Sequence, residues 1–383
     1  MARKLASIRT VKEVKPIENA DAIECIVIDG WEVVSKKGEF SPGDTCVYFE
    51  IDSLLPEIPM FEFLRSSSHV SKSQNGPGFR LKTIRLRNQL SQGLALQPKE
   101  IADNIDSAKE ILSAKVGDDV TDMIGVKLWE RIIPAQLGGK IYGYFPDFMP
   151  KTDQERIQNC FDQFTDEWSN QKLEVTIKMD GSSGTYFFNN DKFGACSRNL
   201  NLKPSEGNSF WEMARSLDLE NKMKDLGKNI AIQGELMGPG IQGNREGFEG
   251  LKFLVYNIYD IDKGEYLNAN ERRNLTKSLG LDHVPVVSEA MDVSGIKKIE
   301  EFLSMANLPS LKNLIAEGLV FKSIDDPSVS FKVISNEFLL NSKGSRNRGN
   351  NKSKSGKRNS GRRGRNQRNR ASNDNSNDDT GRD

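Results

Sequence analysis

Over the first hundred residues the apolar positions come in short clusters parted by turn residues. Cys25–Asp29 (CIVID), Glu32–Ser35 (EVVS) and Thr45–Ile51 (TCVYFEI) are brief and rich in β-branched and aromatic side chains. Asp29-Gly30 and Ser41–Asp44 (SPGD) supply turns around them. Phe79–Arg87 and Gly93–Gln97 predict two further strands, and Ser66–Gly78, which has no apolar period, predicts a mobile loop. Many short strands without long helices between them predict a small barrel or sandwich. Residues 104–114 predict a helix that closes this module or begins a linker. From about residue 126 the pattern lengthens. Helices are predicted near 152–170, 205–227, 269–280 and 295–306, with apolar strands at Glu174–Ile177, Ile230–Gln233, Phe253–Tyr256 and Leu319–Phe321 between them. Strands and helices do not alternate strictly, so an α+β body on antiparallel sheet is expected.

After Leu340 the pattern stops. Asn, Ser, Gly and Arg dominate and Ala371 is the one aliphatic residue, a composition that predicts a disordered tail. The chain of 383 residues is formally neutral, with 54 Lys+Arg against 54 Asp+Glu. Residues 342–383 hold 13 basic and 4 acidic side chains, +9, which leaves 41 basic and 50 acidic, −9, for residues 1–341. An acidic body with a cationic arm suits nucleic-acid capture through counterion release. Lys357-Arg358 and Arg362-Arg363 also fit a nuclear-import signal. The expected organisation is an OB-like β-barrel with linker at 1–125, a second domain at 126–341 and the tail at 342–383.

Other chemistries are set aside early. No run reaches the roughly 18 apolar residues of a membrane span, and the basic N-terminus lacks a secretory apolar stretch. Four scattered cysteines without a Cys-x-x-Cys pair suggest neither zinc nor a disulfide framework, so a reducing intracellular setting is expected. His69 and His283 are the only histidines, too few for a multi-histidine metal site.

The candidate chemistry begins at Glu174–Gly184 (EVTIKMDGSSG), where a strand delivers Lys178 to an Asp180-Gly181 turn. Alone, Lys-x-Asp-Gly means little, and Glu235, Tyr256 and Glu317 each read equally well as ordinary strand-end or core residues. The ordered series carries the argument: Ser197-Arg198-Asn199, Gln233–Gly240 (QGELMGPG), Phe253–Tyr259 (FLVYNIY), Glu317–Lys322 (EGLVFK) and Ser330–Ile334 (SFKVI). In this order it resembles the covalent nucleotidyltransferases, namely ATP-dependent RNA and DNA ligases and mRNA capping enzymes. The β-rich module comes first, and Lys15–Glu24, Gly43–Glu50 and Pro150–Asn159 are similar to segments of the Deinococcus and Naegleria type of RNA ligase. That likeness runs over about residues 1–341.

The resemblance implies an N-terminal OB domain, an antiparallel ATP-grasp-like ligase domain, and sealing of a 3′-hydroxyl to a 5′-phosphate through lysyl-AMP. It implies ATP as AMP donor, Mg²⁺ or Mn²⁺, RNA ends in a nicked duplex as partners, and a monomer. Lys178 would be the nucleophile and Asp180 its orienter. Glu235 would accept from the AMP ribose, Tyr256 would stack on adenine, and Glu317 would hold the metal through water. Lys332 would contact the α-phosphate, with Lys322 and Arg198 as further cations. The last motif departs from the family, since Ser330 stands where many relatives have a lysine. An attacking lysine must be neutral, so its pKa is expected to be depressed by burial and nearby positive charge. Arg80, Lys82, Arg85 and Arg87 are candidates to line an OB groove for nucleic acid. A DNA-preferring ligase, a capping-type enzyme and a non-catalytic OB-type RNA-binding protein are the alternatives.

Overall fold

Period-two burial builds the first module. In Trp31–Lys36 the side chains of Trp31, Val33 and Ser35 turn inward and their neighbours outward. That strand pairs antiparallel with Ile23–Ile28, and Asp29 and Gly30, at φ 45° and 78°, close the hairpin as their sequence predicts. Ala6–Thr10 and Leu94–Leu96 flank Thr45–Phe49 in a second sheet. Two cores fill the module, one around Phe49, Leu55, Phe61 and Phe79, the other around Ile26, Trp31, Val33 and Tyr48. The computed structural model describes residues 3–133, 137–312 and 314–341. The predicted tail lies outside the described residues.

Several predicted boundaries shift. Phe79–Arg87 is not one strand: Gly78–Arg80 ends, and Ile84–Leu86 starts a hairpin with Gln89–Ser91 across Arg87 and Asn88, both at positive φ. The predicted loop 66–78 contains a helical turn, Arg65–Ser68, and a strand pair in which His69 and Val70 meet Phe79 and Gly78. Ser73 Oγ donates to Gly76 O at 2.6 Å and ties its tip, a local bond that hydropathy does not report. The helix expected at 104–114 is the α-helix Pro98–Asn104 followed by a 3₁₀ segment, Asp106–Ser113, because Ile105 is extended. Lys127–Leu128 pairs with Ser53 and Leu54, so the first module reaches past residue 125.

The second module has two sheets. The larger, of eight strands, runs from the edge strand Ile141–Tyr144 through Ser182–Asn189, Ile230–Met237 and Lys252–Asp260. The smaller, of five strands, places Lys172–Lys178 between Val286–Asp292 and Gly318–Ser323, with Ser330–Ile334 beyond. Within 152–170 the helix is confined to Ile157–Gln163 and a π-helical turn, Phe164–Trp168; their Phe164 packs with Phe302, Phe321 and Phe331 under the smaller sheet. The single helix expected at 205–227 is two, Ser209–Ser216 and Leu219–Leu226, divided by Asp218 at φ 51°. Ala269–Ser278 opens with an Asn268/Glu271 capping box. Ile299–Met305 is shorter than predicted. One compact unit contains all the described residues, and among them no helix is long and apolar enough to cross a membrane. The four cysteines are buried and unpaired.

Candidate active site

The site forms where the chain leaves one sheet for the other. Lys178 ends the strand Lys172–Lys178, opposite Gly318 in the five-stranded sheet. After a three-residue turn, Ser182–Asn189 begins in the eight-stranded sheet, where Ser183 lies opposite Glu235. The connecting turn needs glycine: a Cβ on Gly181 would lie 2.5 Å from Leu236 O and 2.9 Å from the Glu235 side chain. Gly318 is held as tightly, its hypothetical Cβ 2.0 Å from Val333 O. The Asp-Gly and Glu-Gly dipeptides therefore let backbones close around Lys178.

Lys178 Nζ lies 2.6 Å from a Glu317 carboxylate oxygen. Burial alone would lower the lysine's pKa, but the fields of Glu317, Glu235 and Asp180 hold it above the ordinary lysine value. The expected depression is thus reversed in the protein by itself: three carboxylates outweigh the burial of Nζ. Glu235 accepts from Gly181 N–H at 3.0 Å, and burial, reinforced by Glu317 and opposed by Lys178, pushes its carboxyl up to about 7. Lys332, on Ser330–Ile334, shows the depression expected of Lys178. Burial and the charges of Lys178 and Arg156 lower it to about 8. Burial and Glu317 also raise Asp180, against Arg245 and Lys178.

Tyr256 stands on the larger sheet. Its hydroxyl meets Ser183 Oγ at 2.8 Å, and Ser183 Oγ meets Thr152 Oγ1 at 2.7 Å. Lys322 is not among the cations around Lys178. It is buried, donates to Tyr256 O and Asn257 Oδ1, and lies 5.7 Å from the Tyr256 ring centroid. Burial and then Arg272 drive its pKa well down. Arg198 is exposed and paired with Asp153. The four OB cations are unlike one another. Arg80 is bound to Asp52 at 2.6 Å and lies 3.3 Å over the Trp129 ring, and Arg85 donates to Leu340 O at 2.8 Å. Only Lys82 and Arg87 are exposed.

Two arginines escaped the sequence reading. Arg156 pairs in register with Lys332, lies 5.1 Å over the Trp31 ring of the first module, and is half-buried. Its Nη1 has no hydrogen-bond partner among the described residues, and burial lowers its pKa. The segment Pro150–Asn159 was the available signal. Arg245 sits 3.7 Å from Asp180, donates to Ile315 O at 3.1 Å and covers Phe338 at 4.5 Å. No sequence signal pointed to it, because its partners lie 65 or more residues away. Among the described residues no group of three or more His, Cys, Asp or Glu side chains is arranged to hold a metal ion by itself. A metal held at Glu317 would need donors from elsewhere, and a carboxylate oxygen is a suitable hard ligand.

A β-rich module ahead of a two-sheet domain with a half-buried lysine, three carboxylates and a second lysine defines a nucleotidyltransferase that works beside an OB fold. Family profiles agree: an OB-fold domain matches residues 5–98 and RNA ligase matches residues 171–334. Naegleria gruberi RNA ligase, as an apo alanine variant, is similar at 43% identity with a TM-score of 0.73, covering 90% of this chain and 99% of that chain. A second variant of that enzyme with AMP and Mn, and a third with ATP and Mn, each give a TM-score of 0.74 at 43% identity, covering 90% of this chain and 100% of theirs. No curated protein matches. The chain belongs to the RNA ligase family and is an ATP-dependent RNA ligase.

Proposed function

We propose that the protein seals a 3′-hydroxyl to a 5′-phosphate in nicked RNA-containing duplex, through AMP carried on Lys178. The observation that carries this reading is the Lys178–Glu317 contact of 2.6 Å at the seam of the two sheets, with Glu235 and Lys332 beside it. In the first step Nζ bonds to the α-phosphorus of ATP as the bond to pyrophosphate breaks. Lys178 must first give up a proton, and its ion pair with Glu317 resists that loss. Glu317 would hold a Mg²⁺ or Mn²⁺ ion, whose positive charge would ease loss of that proton and offset the charge of the phosphates. Lys332 and Arg156, whose Nη1 has no partner among the described residues, donate to phosphate oxygens. Asp180 keeps the lysine's turn in place through Arg245.

Glu235 accepts from the ribose and Tyr256 takes the adenine, with Lys322 bracing Tyr256 from behind rather than touching phosphate. The stored AMP then moves to the RNA 5′-phosphate, and attack by the 3′-hydroxyl releases it. Arg198 meets nucleotide or RNA once it leaves Asp153. Lys82 and Arg87 contact nucleic acid from an OB barrel spanning about residues 1–128, and Arg80 and Arg85 serve structure. The second, ATP-grasp-like domain carries the chemistry as a monomer inside the cell, and the basic tail captures phosphates. Removing residues 345–383 leaves self-adenylylation intact and weakens polynucleotide binding at low salt.

The deciding experiment incubates the chain with α-labelled ATP and a divalent metal. A covalent adduct lost in Lys178→Ala is expected; no adduct, or labelling by GTP instead, overturns the reading.

A further inference from the structure

The larger sheet ends in a strand that exposes what soluble proteins usually cover. Ile141–Tyr144 is an edge strand, paired on one side with Leu200–Leu202. Tyr142 and Tyr144 are 66% and 55% exposed. The register slips between Ile141 and Gly143, a bulge that puts Tyr142 outside the ladder. Neither ring serves the core, and the reaction at Lys178 uses neither.

Cations bracket the two rings. Lys203 Nζ lies 5.6 Å from the Tyr142 ring centroid, and Lys203 N–H donates to Lys140 O at 3.0 Å, which brings both lysines to one end. At the other end Phe145 N–H donates to Asn199 O at 2.9 Å, so Tyr144 and Arg198 each lie one residue from this bond. Arg198 pairs with Asp153, and the charges of both are felt at Lys332, the second lysine of the site. Gln74 Nε2 donates to the Tyr144 hydroxyl at 3.2 Å, fixing the ring by its tip while its faces stay open. Residues 1–341 carry −9 overall, yet this edge presents Lys140, Lys203 and Arg198. Of the two acidic residues in 145–153, Asp153 is already paired with Arg198 and Asp147 is exposed.

We infer that this edge is a docking track for the RNA strand that enters the site, its bases stacking on Tyr142 and Tyr144 and its phosphates meeting Lys140 and Lys203. The inference rests on the reaction proposed at Lys178. Charge complementarity selects the occupant: aromatic faces between cations suit a polyanion with planar bases, whereas an apolar protein face would leave two lysines desolvated. Stacking makes no demand on base identity, as a ligase acting on ends of varied sequence requires.

The test uses the full chain, α-labelled ATP and a nicked duplex with an RNA 3′-hydroxyl strand. In the double variant Tyr142→Ala, Tyr144→Ala, adduct formation should match the parent while KM for nicked RNA rises about tenfold with kcat retained. Tryptophan at both positions should restore KM. Lys140→Glu with Lys203→Glu, which leaves the rings in place, should raise KM and flatten its salt dependence. Unchanged KM in both double variants, with adduct formation intact, overturns the inference. So does loss of self-association in sedimentation with RNA affinity unaltered, which would make the edge a protein interface. Absence of the adduct in the parent chain counts against the reaction at Lys178 and is read separately from KM.

Discussion

The strands Lys172–Lys178 and Gly318–Ser323 carry a lysine and a glutamate at each end, with the partners exchanged. At one end Lys178 on the first strand meets Glu317, just ahead of the second; at the other, Glu174 on the first lies opposite Lys322 on the second. Lys322 is buried and Lys178 half-buried, yet their protonation is pushed in opposite directions. The difference lies in who else claims the carboxylate. Glu174 is bound by Arg272 and, at 2.9 Å, by Arg273, so little of its charge is left for Lys322, which also feels Arg272. Glu317 makes an ion pair only with Lys178 among the described residues, and Glu235 and Asp180 add to its field. One end is a saturated structural joint. The other holds excess negative charge awaiting cations, which suits a nucleophile that changes partners.

The contrast can be broken most sharply at Lys178. Lys178→Ala should lower adduct formation at least about a thousandfold, read with α-labelled ATP, while the thermal midpoint changes little. Glu174→Ala should do the reverse in kind, leaving Arg272 and Arg273 without a counter-charge. A loss of about 3–5 kcal/mol in denaturant unfolding is expected, with Lys178 still able to react in whatever fraction stays folded. Arg245→Ala should cut adduct formation about tenfold by freeing Asp180, and Arg245→Lys should recover part of it. A loss equal in both variants would mean that packing on Phe338 matters more than the ion pair.

The smallest effect concerns Glu235, whose carboxyl stands near 7 in the folded chain against an ordinary 4.5. A raised folded pKa means that the group's contribution to stability is complete below its unfolded pKa and is lost as pH rises through about 7. Glutamine cannot ionise and keeps the acceptor for Gly181 N–H. Glu235→Gln should therefore gain on the parent chain from about pH 5 to pH 8, by about 3 kcal/mol at most. Melting curves across that range check it, and a constant offset would disprove the titration.

Glu235 and Glu317 were legible because each stands beside a glycine that close backbone packing demands, and Lys178 because it lies three residues before another, Gly181, in a series of fixed order. Lys322 was legible as a cation but not as a buried one. Its fate depends on Arg272 and Arg273, which a helix about a hundred residues after Glu174 brings to the same carboxylate. Arg245 was invisible for the same reason. The hairpin inside 66–78 and the break at Ile105 were missed because single hydrogen bonds and single dihedrals decide them, and hydropathy averages over both.

The sequence by itself determined that a strand-rich module precedes a lysine–carboxylate series, since alternation, turn residues and motif order are local properties. It also determined the division of charge between an acidic body and a basic arm. Only the tertiary structure decided which lysine is poised and which is locked. Electrostatic partners are chosen by distance in space, and the two sheets bring residues 178, 235 and 317 together while burying residues 174, 272 and 322 as a separate set.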